Sequence, residues 1–341
     1  MSKGKEIQKL LFDTIRQRVS QHISLVHEIA ELLGISYDSA YRRLRGDKEL
    51  SIGEIEILSN KYQVSIDALF SHNISDVLFR PIILKDQDDE FIEWLKIRVL
   101  ELQKLSESEK AELIIVARDL PVFHYFDFPE LAAFKFYFWK KMLTHRANYH
   151  DKQFNINEIP YKYIDLGYRL LSLYNQLESV EIWCQDTFTR IMQQIEFCRV
   201  SRFFLHKNDA MLLYEKLETL IRHMQYQTEQ GCKFHYGEKI AESNDENIKI
   251  FFSDVLLIDN VVFVMRNGIK TIFMTHNSLD IMVTTNLKFC NQVEHALRII
   301  MKTGNHISGT SALDCNRFFS SIYSRLEELK KEAIPDKSIV L

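Results

Sequence analysis

Glycine, proline and cysteine are all scarce: the chain of 341 residues has 10 glycines, 5 prolines and 5 cysteines. So few glycines leave little material for a phosphate-cradling loop, and no Walker-type or G-x-G-x-x-G run occurs. G-x-S-x-G and H-E-x-x-H are missing as well. The cysteines, Cys184, Cys198, Cys232, Cys290 and Cys315, are widely spaced and form no C-x-x-C or Cys/His ligand pattern. That spacing argues against a disulfide framework and suits reduced, buried thiols. Cys232 with His235, and Cys290 with His295, each lack the second pair a zinc site needs. No apolar run reaches the roughly 18 residues of a membrane span, and MSKGKEIQK has no apolar core of a secretory signal. A cytoplasmic protein with no membrane contact is therefore expected. A net charge of -4 and a pI near 6.3 exclude a chain that binds polyanions by bulk charge, so any nucleic-acid contact must be local.

What is present is an ordinary globular composition, 46% hydrophobic and 26% charged, long enough for two or three domains. The most organised stretch runs from Ser24 to Gly46, SLVHEIAELLGISYDSAYRRLRG. Val26, Ile29, Ala30 and Leu33 fall at i, i+3, i+4, i+7, which gives one apolar helix face. Gly34 follows where a helix can close in a left-handed turn, and Ala30 is small enough for a second helix to cross closely. Ile35 plugs the turn, Ser36 is placed to cap the next helix, and Ala40 with Leu44 forms its inward stripe.

This stretch resembles the Cro and lambda-repressor (XRE-type) helix-turn-helix, with Ala30, Gly34, Ile35 and Ala40 at that family's structural positions. Flanking segments extend the likeness to five helices: residues 4–20, a helix opened by the capping-box spacing of Ser51 and Glu54 with Ile52, Ile55, Leu58 and Tyr62 on one face, and a short helix over 64–70. The resemblance implies that the second helix of the motif enters the major groove of double-stranded DNA. It implies base contacts for Tyr37, Asp38, Tyr41 and Arg42: Arg42 paired with a guanine, Asp38 accepting from a cytosine, the tyrosines on a thymine methyl or a phosphate. Arg45 and Lys48 are assigned to phosphates. Arg43 departs from the family's apolar residue; its stem can pack on the head while the guanidinium reaches for the DNA backbone.

Residues 1–72 thus read as a DNA-binding head, 73–89 as a connector containing Pro81, and 90–341 as an α+β body. From 90 to 230 the pattern is helical. Phe91, Trp94, Leu95 and Val99 mark one helix, and Ser106 to Glu109 reads as a capping box opening another that ends before Pro121. Further helices are expected from Pro129, over 161–176, from Ser179 to about Phe204, and over 209–230. Residues 248–284 then alternate and are rich in Ile, Val, Phe and Thr, with Asn267-Gly268 as a hairpin signal. A four-stranded antiparallel meander is expected at 248–258, 260–266, 269–275 and 278–284, followed by helices over 286–303 and 311–333. The fold class is mainly α with an α+β C-terminal part.

No catalytic residue, metal site or cofactor is indicated. Glu181 and Asp186 form a possible carboxylate pair, but helix-surface acids are common. The aromatic segment 123–139 reads first as core, with an effector pocket or a dimer interface as its other uses. The reading is a sequence-specific transcriptional regulator and not an enzyme. Its body would form a homodimer and receive a small-molecule or protein effector. A protein-interaction adaptor, or an enzyme with a fused helix-turn-helix, stands as the alternative.

Overall fold

The computed structural model describes residues 3–16, 19, 24–62, 64, 66, 77–82, 90–143, 151–158, 161–239, 246–253, 259–276, 280–309 and 312–334. The chain divides into two compact units, Met1–Phe79 and Arg80–Leu341. In the first, α1 (Lys3–Arg16), α2 (Leu25–Leu33), α3 (Tyr37–Leu44) and α4 (Ile52–Tyr62) surround a small core of Leu11, Phe12, Ile15, Ile29, Ala30, Ala40 and Leu58. The helix expected over 64–70 falls almost wholly outside the described residues; Val64 is buried against this core.

The second unit is mainly helical around a mixed sheet. Its elements in chain order are β1 (Arg80–Ile82), α5 (Glu90–Ser106), β2 (Ala111–Ala117), a 3-10 turn (Val122–Tyr125), α6 (Pro129–Leu143), α7 (Tyr161–Gln176), β3 (Ser179–Trp183), α8 (Asp186–Val200) and α9 (Asp209–Gln230). Then follow β4 (Ile248–Phe252), β5 (Val261–Arg266), β6 (Ile269–Thr275), β7 (Ile281–Thr284), α10 (Leu287–Thr303), β8 (Asn305–His306) and α11 (Ala312–Ala333). The eight strands lie in the order β1-β7-β6-β5-β2-β3-β4-β8. β2, β3 and β4 run parallel to one another, and every other pairing is antiparallel.

This corrects the expected four-stranded meander. β5, β6 and β7 do form one, closed by Asn267 and Gly268 at φ 50° and 83° in the expected hairpin turn. The segment at 248, however, lies across the sheet, parallel to β3 and separated from β5 by β2 and β3. Two central strands, β2 and β3, fall where helix is expected from the sequence. Residues 111–117, AELIIVA, follow the capping-box spacing of Ser106 and Glu109, and residues 179–183, SVEIW, are a second short apolar run. Both are strands buried on two faces. Ile114, Val116 and Ile182 face the cluster under α10, while Leu113, Ile115 and Trp183 face the large core under the other helices. A strand buried on both sides has no alternation to betray it. Likewise β1 lies inside the segment expected to be a connector.

The aromatic segment 123–139 is core. Tyr125, Phe126, Phe128, Phe134, Phe136, Tyr137 and Trp139 are buried in the large cluster. Gly167 in α7 permits part of this packing, because a Cβ there would lie 1.9 Å from Cδ1 of Phe126. The five cysteines are free and buried.

The carboxylates Glu181 and Asp186 do not form a pair. Asp186 bonds Arg118 at 3.0 Å. Glu181, on β3, is fully buried; His124 Nε2 lies 2.8 Å away, the Trp183 indole donates at 2.7 Å, and the Tyr174 hydroxyl also donates. Burial opposes its charge, but His124 and these donors prevail and hold its pKa below the usual carboxylate value.

Candidate nucleic-acid interface

The helix-turn-helix is built by local chemistry. Gly34 adopts φ 63°, and the N–H of Ile35 donates to Ala30 O at 3.0 Å, closing α2 as a left-handed turn does. Ser36 is extended and its hydroxyl accepts the N–H of Ser39, capping α3. Ala40 is fully buried where α2 and α3 meet. At the next corner Ser51 and Glu54 cap each other: Ser51 N donates to Glu54 Oε2 at 2.8 Å, and Glu54 N donates to Ser51 Oγ at 3.2 Å.

With Ala40, Arg43 and Leu44 turned inward, α3 shows its other face to solvent. Tyr37, Asp38, Tyr41, Arg42 and Arg45 stand on it at i, i+1, i+4, i+5 and i+8, and Lys48 follows in the turn; all are exposed. The tyrosine rings are about half exposed, at 55% and 51%. The Tyr37 ring meets His27 edge-on at 5.2 Å, which limits its rotation. The Arg45 guanidinium lies 5.7 Å from the centre of the Tyr41 ring and 3.7 Å from Asp47. Asp38, Asp47 and Glu49 offset Arg42, Arg45 and Lys48, so the strip is formally neutral. Binding here would rest on placed contacts, not on bulk charge.

Arg43 is the exception among the seven candidates. It is 5% exposed, and its guanidinium donates to Ser39 O at 3.1 Å and to Glu54 Oε1 at 2.6 Å. The expected reach to the DNA backbone does not fit this placement. Burial works against the charge of Glu54, but the bonds from Arg43 and Ser51 outweigh it and depress its pKa. The reason is spatial: 11 positions separate the two residues, and only the turn between α3 and α4 brings them together.

Sequence reasoning also missed Gln8. From α1 its amide donates to Arg43 O at 2.7 Å and Lys48 O at 2.9 Å and accepts the N–H of Leu50 at 3.0 Å. One buried side chain thereby satisfies the end of α3 and fixes the turn that follows. No local spacing signals a contact across 35 to 42 positions.

Residues 6–89 match the family model of the BetR domain. That family is associated with DNA binding, which fits a helix-turn-helix at this end of the chain. The match covers about a quarter of the chain and leaves most of the second unit outside it. No curated protein and no solved structure matches. Among the described residues no helix is long and apolar enough to cross a membrane, and no group of three His, Cys, Asp or Glu is placed to hold a metal ion.

Proposed function

We propose that this protein is a sequence-specific, DNA-binding transcriptional regulator acting in the cytoplasm. α3 would enter the major groove of double-stranded DNA, and the α+β body would join two copies and receive an effector. The observation that carries the reading is the outer face of α3. Two half-exposed tyrosines and Arg42 stand on a helix whose inner side is held by Ala40, Arg43 and Gln8. A rigid helix with extended polar and aromatic side chains suits base-edge readout. The BetR match supports a regulatory role at DNA in general terms.

In this reading Tyr37, Asp38, Tyr41 and Arg42 read bases, whereas Arg45 and Lys48 hold phosphates. Arg43 and Gln8 keep the helix in position. Two heads would bind half-sites about one helical turn apart. The test is selection of bound sequences from random duplex DNA at two salt concentrations, with Arg42→Ala in parallel. An inverted repeat, with Arg42→Ala relaxing one position of it, is the expected result. Recovery of no enriched sequence would remove the reading.

The formal neutrality of the strip favours a second reading, an adaptor whose tyrosine-bearing face binds a protein. It gains if duplex DNA is ignored while substitution of Tyr37 or Tyr41 abolishes capture of a protein partner.

A further inference from the structure

Three side chains of the body form a line that no local pattern announces. Ser172 lies on α7, His235 in the segment after α9, and Asp127 in the turn before α6. Ser172 Oγ is 2.9 Å from His235 Nε2, and His235 Nδ1 is 2.8 Å from Asp127 Oδ1. The second carboxylate oxygen accepts the N–H of Tyr236 at 2.8 Å, so Asp127 cannot swing away. The side chains of Asp127 and His235 are 6% and 10% exposed, and the Tyr168 ring stacks on the imidazole at 4.2 Å. Ser172 is half-buried, while Tyr168 and Tyr236 beside the line are 46% and 52% exposed. One turn along α7, on the same helix face, Asn175 carries a buried amide Nδ2 with no hydrogen-bond partner. A hydroxyl held to an imidazole, which is in turn oriented by a carboxylate, is the arrangement that activates a serine, whatever the fold or chain order.

We propose that Ser172, His235 and Asp127 form a nucleophile, general base and orienting carboxylate for acyl transfer, with a small uncharged acyl ester as substrate. Ser172 Oγ bonds to the ester carbonyl carbon as its proton passes to His235 Nε2. The C–O bond to the alcohol then breaks, and the imidazolium returns that proton to the departing oxygen. Water attacks the acyl-serine by the same route, releasing the carboxylic acid and restoring the hydroxyl. Asp127 accepts from Nδ1–H and keeps the ring in orientation throughout. The unpartnered amide of Asn175, three residues along the helix, would donate to the oxygen that becomes negative. The exposed rings of Tyr168 and Tyr236 offer apolar faces to the acyl group. This inference does not depend on the DNA-binding reading, and it departs from the expectation that the chain is not an enzyme.

The Ser172 hydroxyl has one competing acceptor, Tyr168 O at 2.9 Å, the usual partner of a helical serine. The experiment separates the two uses. Full-length protein is assayed with p-nitrophenyl acetate and p-nitrophenyl butyrate, and treated with a fluorophosphonate followed by peptide mass spectrometry. Ser172→Ala, His235→Gln and Asn175→Ala are purified in parallel, and their folding is checked by circular dichroism. The expected result is phosphonylation of Ser172 and a kcat/KM that falls about 100-fold or more in Ser172→Ala and His235→Gln. Asn175→Ala should lower kcat with little change in KM. A folded Ser172→Ala that hydrolyses as fast as the parent would overturn the proposal, as would a label on another residue or the absence of both hydrolysis and label. A Ser172→Ala variant that shifts only the melting temperature would identify the three residues as a structural staple.

Discussion

The guanidinium of Arg43 and the carboxylate of Glu54 lie 2.6 Å apart with side chains 6% and 17% exposed, tying α3 to the helix that follows it. Removing one partner leaves the other charge inside the head with less compensation. Glu54→Gln is expected to destabilise the head by about 2 kcal/mol, the scale of a hydrogen bond to a charged group. Because the folded carboxyl has a depressed pKa, its stabilisation is present above the unfolded value. It is lost as pH falls through the folded one. Denaturant unfolding of the first transition between neutral and acid pH should therefore show a shallower acid limb in Glu54→Gln than in the parent.

Base readers and phosphate holders should separate by salt. For the DNA-binding reading, Arg42→Ala is expected to cost about 1 to 3 kcal/mol at one position of the site, whereas Lys48→Ala should weaken all sequences alike and lower the salt slope by about 1. Binding isotherms at several salt concentrations, on the selected site and on a scrambled one, give both quantities.

Gly167 should not tolerate a methyl group. Alanine ordinarily gains about 1 kcal/mol over glycine inside a helix. Here its Cβ would fall 1.9 Å from the Phe126 ring, itself 1% exposed in a core that cannot shift cheaply. Overpacking costs of about 1 to 3 kcal/mol or more decide the sign. Gly167→Ala should lower the melting temperature of the body and, by calorimetry, leave a transition belonging to the head in place.

Lys233 is expected to make the body's stability rise with pH. It is buried, donates to Ser179 Oγ at 2.7 Å and to Leu177 O, and sits 4.0 Å from the Tyr174 ring centre. Burial, opposed by Glu181 and Glu178, lowers its pKa from 10.5 to about 7. Between those values the unfolded chain binds the proton and the folded chain does not, so stability increases with pH across that window. Unfolding of the body in urea at pH 7 and pH 9 should show the gain, and Lys233→Met should lose most of it.

Legibility followed the range of the signal. Gly34, Ser36, the reciprocal cap of Ser51 and Glu54, and the Asn267-Gly268 hairpin were all readable, because each acts within about four residues and depends on backbone preference. The same capping pattern misled at Ser106, where it precedes a strand. At Arg43 the side-chain type was visible, but its partner was not. Spacing gave Ala40 and Leu44 as the inner stripe of α3, whereas Tyr37, Tyr41 and Arg42 were named by the resemblance to the Cro and lambda-repressor helix-turn-helix.

The sequence by itself determined the turn at Gly34, the caps at Ser36 and Ser51, and that an antiparallel hairpin turns at Asn267. These follow from local dihedral preferences. Only the tertiary structure decided that residues 111–117 and 179–183 are central strands, that Arg43 is spent on Glu54, and that Asp127, Ser172 and His235 meet across 108 positions. The physical reason is shared: burial on two faces and pairing across the chain are set by which distant surfaces are in contact, and no short window of sequence contains them.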